Sequence, residues 1–178
     1  MANKLRAASN SVLSLAGALF LSVHGASADI LAQGPCNYEA GRCMGFDGTT
    51  NPMPPIRSFE FSLPAPGNAL VRFDGTLQCW VDSPTANQDV IDLATQIVTS
   101  ADAVPSYPGP GGARFAMRLN HNNQGFGPSA AINLASSRLI KYTTAGAATV
   151  YFKIGQLRMD AGTACNVLSA AFSVITVP

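Results

Sequence analysis

The stretch Arg57–Val81, RSFEFSLPAPGNALVRFDGTLQCWV, decides the fold. Phe59, Phe61 and Leu63 alternate with Ser58, Glu60 and Ser62, the period of a half-buried strand. Pro64-Ala65-Pro66-Gly67-Asn68 then makes a turn. Ala69, Val71 and Phe73 resume on one face, Asp74-Gly75 is a hairpin signal, and Leu77, Cys79 and Val81 follow opposite Gln78 and Trp80. This is the grammar of antiparallel β structure.

Downstream the same grammar continues. Ala113, Phe115, Met117 and Leu119 alternate with Arg114, Ala116 and Arg118, the plainest half-buried strand in the chain. Further strands fall near Ala130–Leu134, Arg138–Tyr142 and Thr149–Ile154, and Cys165–Val177 reads as a long closing strand. Asp89–Ser100 is ambiguous, because Val90, Leu93, Ala94, Ile97 and Val98 fit a helical stripe while Ile91, Leu93, Thr95 and Ile97 fit a strand. Its β-branched content favours the strand. Pro105 to Gly112 is a loop rich in proline and glycine that continues neither structure. Eight or nine strands with turns about every 8 to 12 residues predict an all-β, two-sheet antiparallel β-sandwich or jelly roll. An outer-membrane barrel needs about ten alternating residues in every strand, and only the last run meets that length.

Upstream of the sandwich, 29–56 reads as an irregular N-terminal arm, with 57–178 the β-sandwich domain. Residues 1–28 carry Lys4 and Arg6, an apolar run from Val12 to Val23, and Ala26-Ser27-Ala28 with small residues at the cleavage positions. That pattern is a secretory signal peptide, and the run is shorter than the roughly 20 residues a membrane-crossing helix requires. The expected product is secreted or periplasmic, cleaved after Ala28, and without a membrane span. It keeps nine Lys and Arg against ten Asp and Glu, a net charge of −1, which offers no electrostatic attraction to nucleic acid or anionic lipid.

All four cysteines lie beyond the signal segment, and an even number after such a segment reads as a disulfide framework. Three pairings are possible. Cys36 with Cys43 closes a short loop containing Gly41, and Cys79 with Cys165 joins two strand-like segments, so this pairing is favoured. Structural zinc usually takes ligand pairs two to four residues apart, and six residues separate the nearest pair here, so no metal or other cofactor is expected.

Two stretches together resemble the C1q/TNF-like jelly-roll group. Phe59–Cys79 has its strand, proline-glycine turn and strand opening. Arg138–Val177 has Ala145-Gly146 before Val150-Tyr151-Phe152 and a closing strand. The resemblance implies a ten-strand, two-sheet sandwich and a tendency to form a homotrimer. The four cysteines and the lack of a collagen-like stalk depart from it.

No catalytic constellation is present. His121, in an Asn-rich loop, could act as a base, but general-base catalysis needs a nucleophile and an orienting partner, and a solvated loop histidine is the plainer reading. No G-x-S-x-G elbow occurs. Asp82, Asn87 and Asp89 could offer oxygen ligands to calcium, although Asp82-Ser83-Pro84 is equally a plain turn. Trp80 could stack on a sugar, or pack under a loop. Arg114 and Arg118 share one strand face and could pair with an anion, or simply face solvent. The sequence therefore points to an exported, non-enzymatic β-sandwich module for binding a glycan or protein, or for self-assembly. A carbohydrate-binding module using Trp80 and the 82–89 loop, and a hydrolase with a loop site near His121, are the alternatives. Intact-mass measurement of the exported protein is expected to place its first residue at Asp29, and a product retaining Met1 would refute the cleavage assignment.

Overall fold

The computed structural model describes residues 29–33, 36–37, 43–50, 53–82, 88–120 and 129–177. The signal segment 1–28 and its cleavage site, Asn87 and His121 lie outside the described residues. The elements are β1 (Asp29–Ala32), β2 (Cys36–Asn37), β3 (Met44–Asp47), β4 (Arg57–Leu63), β5 (Gly67–Val81), β6 (Gln88–Val98), β7 (Gly112–Asn120), β8 (Ser129–Tyr142), β9 (Gly146–Met159) and β10 (Thr163–Val177). They form two antiparallel sheets. Sheet A has the order β1-β10-β5-β8, with β2 and β3 also paired to β10, and sheet B has the order β4-β9-β6-β7.

The pairing is nested. β6 pairs β7, β5 pairs β8, β4 pairs β9 and β3 pairs β10. One long double strand is thus rolled up, and β5·β10 and β6·β9 zip the roll shut. That is the jelly-roll solution to packing many strands around one apolar interior.

Inward residues follow the period of two. Ala69, Val71, Phe73, Leu77, Cys79 and Val81 of β5 are all buried. Phe73 stacks flat on Phe152 of sheet B, with ring planes within 4°. Phe172 meets Phe73 edge-on at 5.3 Å, and Phe59 lies over Phe172 at 6.3 Å. These rings join the sheets at mid-core, and each removes a large apolar area from water.

Three expectations change. The Asp74-Gly75 signal does not make a hairpin, since β5 runs unbroken for 15 residues. Gly75 instead faces Ala170 beside a bulge in β10, where Leu168 is the extra residue. A Cβ on Gly75 would lie 2.6 Å from the Ser169 carbonyl and 3.1 Å from the Phe73 ring. Glycine here permits a close approach of backbone and ring. The two short runs between Ala130 and Tyr142 are likewise one strand, the 14-residue β8. Several strands therefore exceed the length anticipated, yet they belong to two sheets packed on a shared core. Finally, the irregular N-terminal arm supplies three short strands along the otherwise open edge of β10. The ambiguous run at Asp89 is a strand as favoured, and it loses its alternation because both faces of β6 are buried.

Both disulfides close as favoured. Cys36–Cys43 staples the arm across a separation of 7 residues, and Cys79–Cys165 ties directly opposed positions of β5 and β10 across 86. Disulfides persist in oxidising compartments, so the chain is extracytoplasmic. Loop-closure entropy gives about 2 kcal/mol for the short loop and about 4–5 kcal/mol for the long one. Cys79→Ala with Cys165→Ala is therefore expected to lower unfolding free energy by roughly twice as much as Cys36→Ala with Cys43→Ala. Equilibrium urea unfolding of the two variants checks the order.

Candidate interaction face

The two outer faces of the sandwich are covered differently. On sheet B, Ala94, Gln96 and Val98 of β6 and Lys153 of β9 are outward yet buried, on the side crossed by the β6–β7 loop, residues 99–111, while the outward residues of β4 are exposed. Gln96 holds that loop at both ends, its Oε1 accepting from the Ser106 amide at 3.4 Å and its Nε2 donating to the Pro110 carbonyl at 3.2 Å. Lys153 donates Nζ to the Ala101 carbonyl. A Cβ on Gly155 would sit 3.1 Å from the Pro105 carbonyl, so the loop seats against bare backbone there. Gly111, at φ +65°, turns the chain back into β7. Beside it Ser136 Oγ donates to the Gly111 carbonyl at 2.6 Å and Arg138 Nη1 to the Ile97 carbonyl at 2.7 Å, sealing the seam between β8 and sheet B.

Sheet A has no such cover among the described residues. Strand register lines its outward side chains into rows across the sheet. Ile30 pairs Ile175, Ile175 pairs Leu70 and Leu70 pairs Leu139, so four aliphatic residues cross all four strands in one line. Ile30 is 73% exposed and Leu139 66%, with Val177 in the next row at 43%. Scattered exposed aliphatics are ordinary, whereas these four are contiguous, with Leu70 and Ile175 half-buried between the exposed ends.

Beyond the row the face becomes low. Gly75, Thr76, Asn133, Ala135, Ser169 and Ala171 line a shallow hollow of about 370 Å³. A second hollow of about 380 Å³ adjoins it over Leu70, Arg72 and Ser137. Arg72, Asp74 and Lys141 are the only charged residues among the outward positions of β5, β8 and β10. Arg72 and Asp74 are both exposed, two residues apart on the central strand.

Of the residues singled out in the sequence, Trp80 and Asp82 are brought together. Trp80 lies on this outer face, opposite in sense to Cys79, and its Nε1 donates to Asp82 Oδ1 at 2.5 Å. Asp89 is buried at the start of β6 and is engaged there. Asp82 and Asp89 thus present no shared set of free oxygens to a cation, and Asn87 and His121 fall outside the described residues. Arg114 and Arg118 do share the outer side of β7, but Arg114 is committed to Asp92, with Nε to Oδ1 at 2.8 Å and Nη2 to Oδ2 at 2.5 Å. Other acids near the 160–162 turn are also satisfied locally. Asp47 Oδ1 accepts from the Thr49 amide and hydroxyl, and Asp160 takes the Arg158 guanidinium and the Val90 amide. Among the described residues no group of three His, Cys, Asp or Glu is placed to hold a metal. The aliphatic row escaped sequence reading because it needs three strand registers at once.

No family model and no curated protein matches the chain. Among solved structures, a bacterial lipoprotein from Bacteroides thetaiotaomicron is similar over 85% of this chain and 84% of its own, at 10% identity and a TM-score of 0.32. A likeness at that distance carries no argument about function.

The ion pairs set an acid limit. Hydrogen bonds from Arg114 hold the Asp92 carboxyl below its usual value, and hydrogen bonds from Arg158, then Val90, do the same for Asp160. A lowered folded-state value stabilises fully above the unfolded carboxyl pKa, about 3.9, and is lost as pH falls through the folded value. Asp92→Asn is therefore expected to lower Tm at pH 7 and to lower it by less at pH 2, as read by thermal melts at the two pH values.

Proposed function

We propose that this chain is an exported, non-enzymatic β-sandwich module that works by association through the outer face of sheet A, first of all with copies of itself. The single observation that carries the reading is the outward line Ile30, Ile175, Leu70 and Leu139 on an almost uncharged sheet, exposed at its two ends and half-buried at its middle pair. Interface cores are depleted of charge in the same way. The middle of the opposite face holds the 99–111 loop, whereas the middle of sheet A carries no cover among the described residues. Export after cleavage at Ala28, to the periplasm or the medium, agrees with two disulfides that an oxidising compartment keeps closed.

The C1q/TNF-like likeness supports assembly on a second ground. The group it resembles is built as a two-sheet sandwich. The trimer it implies is one form such assembly could take.

The test is light scattering coupled to size exclusion on protein purified after export. A mass that is a multiple of the protomer at micromolar concentration is expected. Leu139→Glu and Ile175→Glu are each expected to weaken association at least tenfold, about 1.4 kcal/mol. A strict monomer for the unmodified protein would refute self-association.

A further inference from the structure

The outer face of sheet A is complementary to itself. Successive outward rows, named by their β5 member, run 68, 70, 72, 74, 76, 78 and 80 along the sheet. Row 70 is the aliphatic row, with Leu70 between Ile175 and Leu139. Row 76 is the floor of the hollow, with Thr76 between Ser169 and Asn133. Between them stand the exposed Arg72 in row 72 and Asp74 in row 74, neither with a side-chain partner among the described residues.

A two-fold axis lying in the plane of contact, across the strands between rows 72 and 74, does three things together. It lays the aliphatic row of each copy across row 76 of the other. It sets Arg72 over Asp74 of the second copy, and Asp74 over its Arg72. It places Lys141, in row 68, over Ala131 in row 78, so no like charges meet. From these coincidences we infer that the face is the interface of a two-fold symmetric dimer, with Arg72 and Asp74 forming reciprocal ion pairs across it. The inference rests on the reading of this face as a self-association surface, and adds the partner, the symmetry and the residues that set the register.

Area decides between this axis and the obvious rival. An axis along the aliphatic row itself would stack each aliphatic side chain on its own copy, but it would overlap only rows 68 to 72. The axis between rows 72 and 74 lies near the middle of the face and overlaps rows 68 to 78. Four strands about 4.8 Å apart and roughly 12 residues rising about 3.3 Å each present on the order of 750 Å². That approaches the roughly 800 Å² per partner of a stable specific interface, whereas half as much falls within the range of incidental contacts. A self-complementary patch is the signature of an isologous two-fold contact, while the head-to-tail contacts of a ring require no such property.

Charge reversal tests the register. Arg72→Asp and Asp74→Arg, each alone, place like charges at both two-fold related contacts and are expected to weaken the dimer at least tenfold by analytical ultracentrifugation. The double variant, Arg72→Asp with Asp74→Arg, recreates both pairs and is expected to return to within about threefold of the unmodified affinity, since that is under 1 kcal/mol. Both side chains are exposed, and far-UV circular dichroism verifies folding of each variant. Should a charge variant not fold, Leu70→Cys with Thr76→Cys provides the second test. A short thiol-to-thiol cross-linker is expected to join residue 70 of one copy to residue 76 of the other and yield a covalent dimer. A double variant as dissociated as the singles, or no cross-link, overturns the inference. An unmodified protein that is a trimer overturns it while leaving self-association standing, and a monomer overturns both.

Discussion

Strand β5 must hold register with β10 on one side and β8 on the other, and the rest of the molecule depends on that constraint. Its 15 residues span sheet A without interruption. One parity sends Phe73 onto Phe152 and Cys79 to Cys165. The other parity lines up Trp80, Thr76, Asp74, Arg72 and Leu70 on the outside. A slip of one residue would exchange the two sets, putting charge into the core and phenylalanine into water. The bulge at Leu168 is where β10 adjusts to this demand. Its inward residues change from Cys165 and Val167 to Ala170, Phe172 and Val174, and Gly75 leaves room for the shift.

The architecture could be read in the sequence wherever one face met the core and the other met water. Ala113 to Leu119 is the clearest case, and the disulfide pairing followed from strand-like surroundings. Reading failed where a local signal competed with a longer one. Asp74-Gly75 carries hairpin chemistry, yet apolar parity runs through it unbroken from Ala69 to Val81, and that parity was the better guide. In β6 the alternation is hidden because the 99–111 loop buries the outward side as well, so a strand takes on a helix-like stripe. Mixed parity in Ala171, Phe172, Val174 and Ile175 records the outer face on one side and the core on the other.

The candidate site was much less legible than the fold. Attention in the sequence goes to rare residues such as Trp80, or to acids clustered around a turn. In the structure Trp80 and Asp82 satisfy one another, and Asp89 is buried. The outward line of Ile30, Ile175, Leu70 and Leu139 uses common residues far apart in the chain. Only pairing brings them side by side, and only the uneven covering of the two sheets shows which outer face stays open.

The Cys79–Cys165 bridge also governs how the molecule answers force. It links the central strand of sheet A to its neighbour across 86 residues, so β6 through β9 lie wholly inside a covalent ring. Tension applied at the two ends passes straight through the sulfur bridge and never loads that ring. A tethered copy under pull can lengthen by peeling β1 to β4 and the outer parts of β5 and β10, while the enclosed half of the sandwich contributes nothing to extension until the bond is reduced.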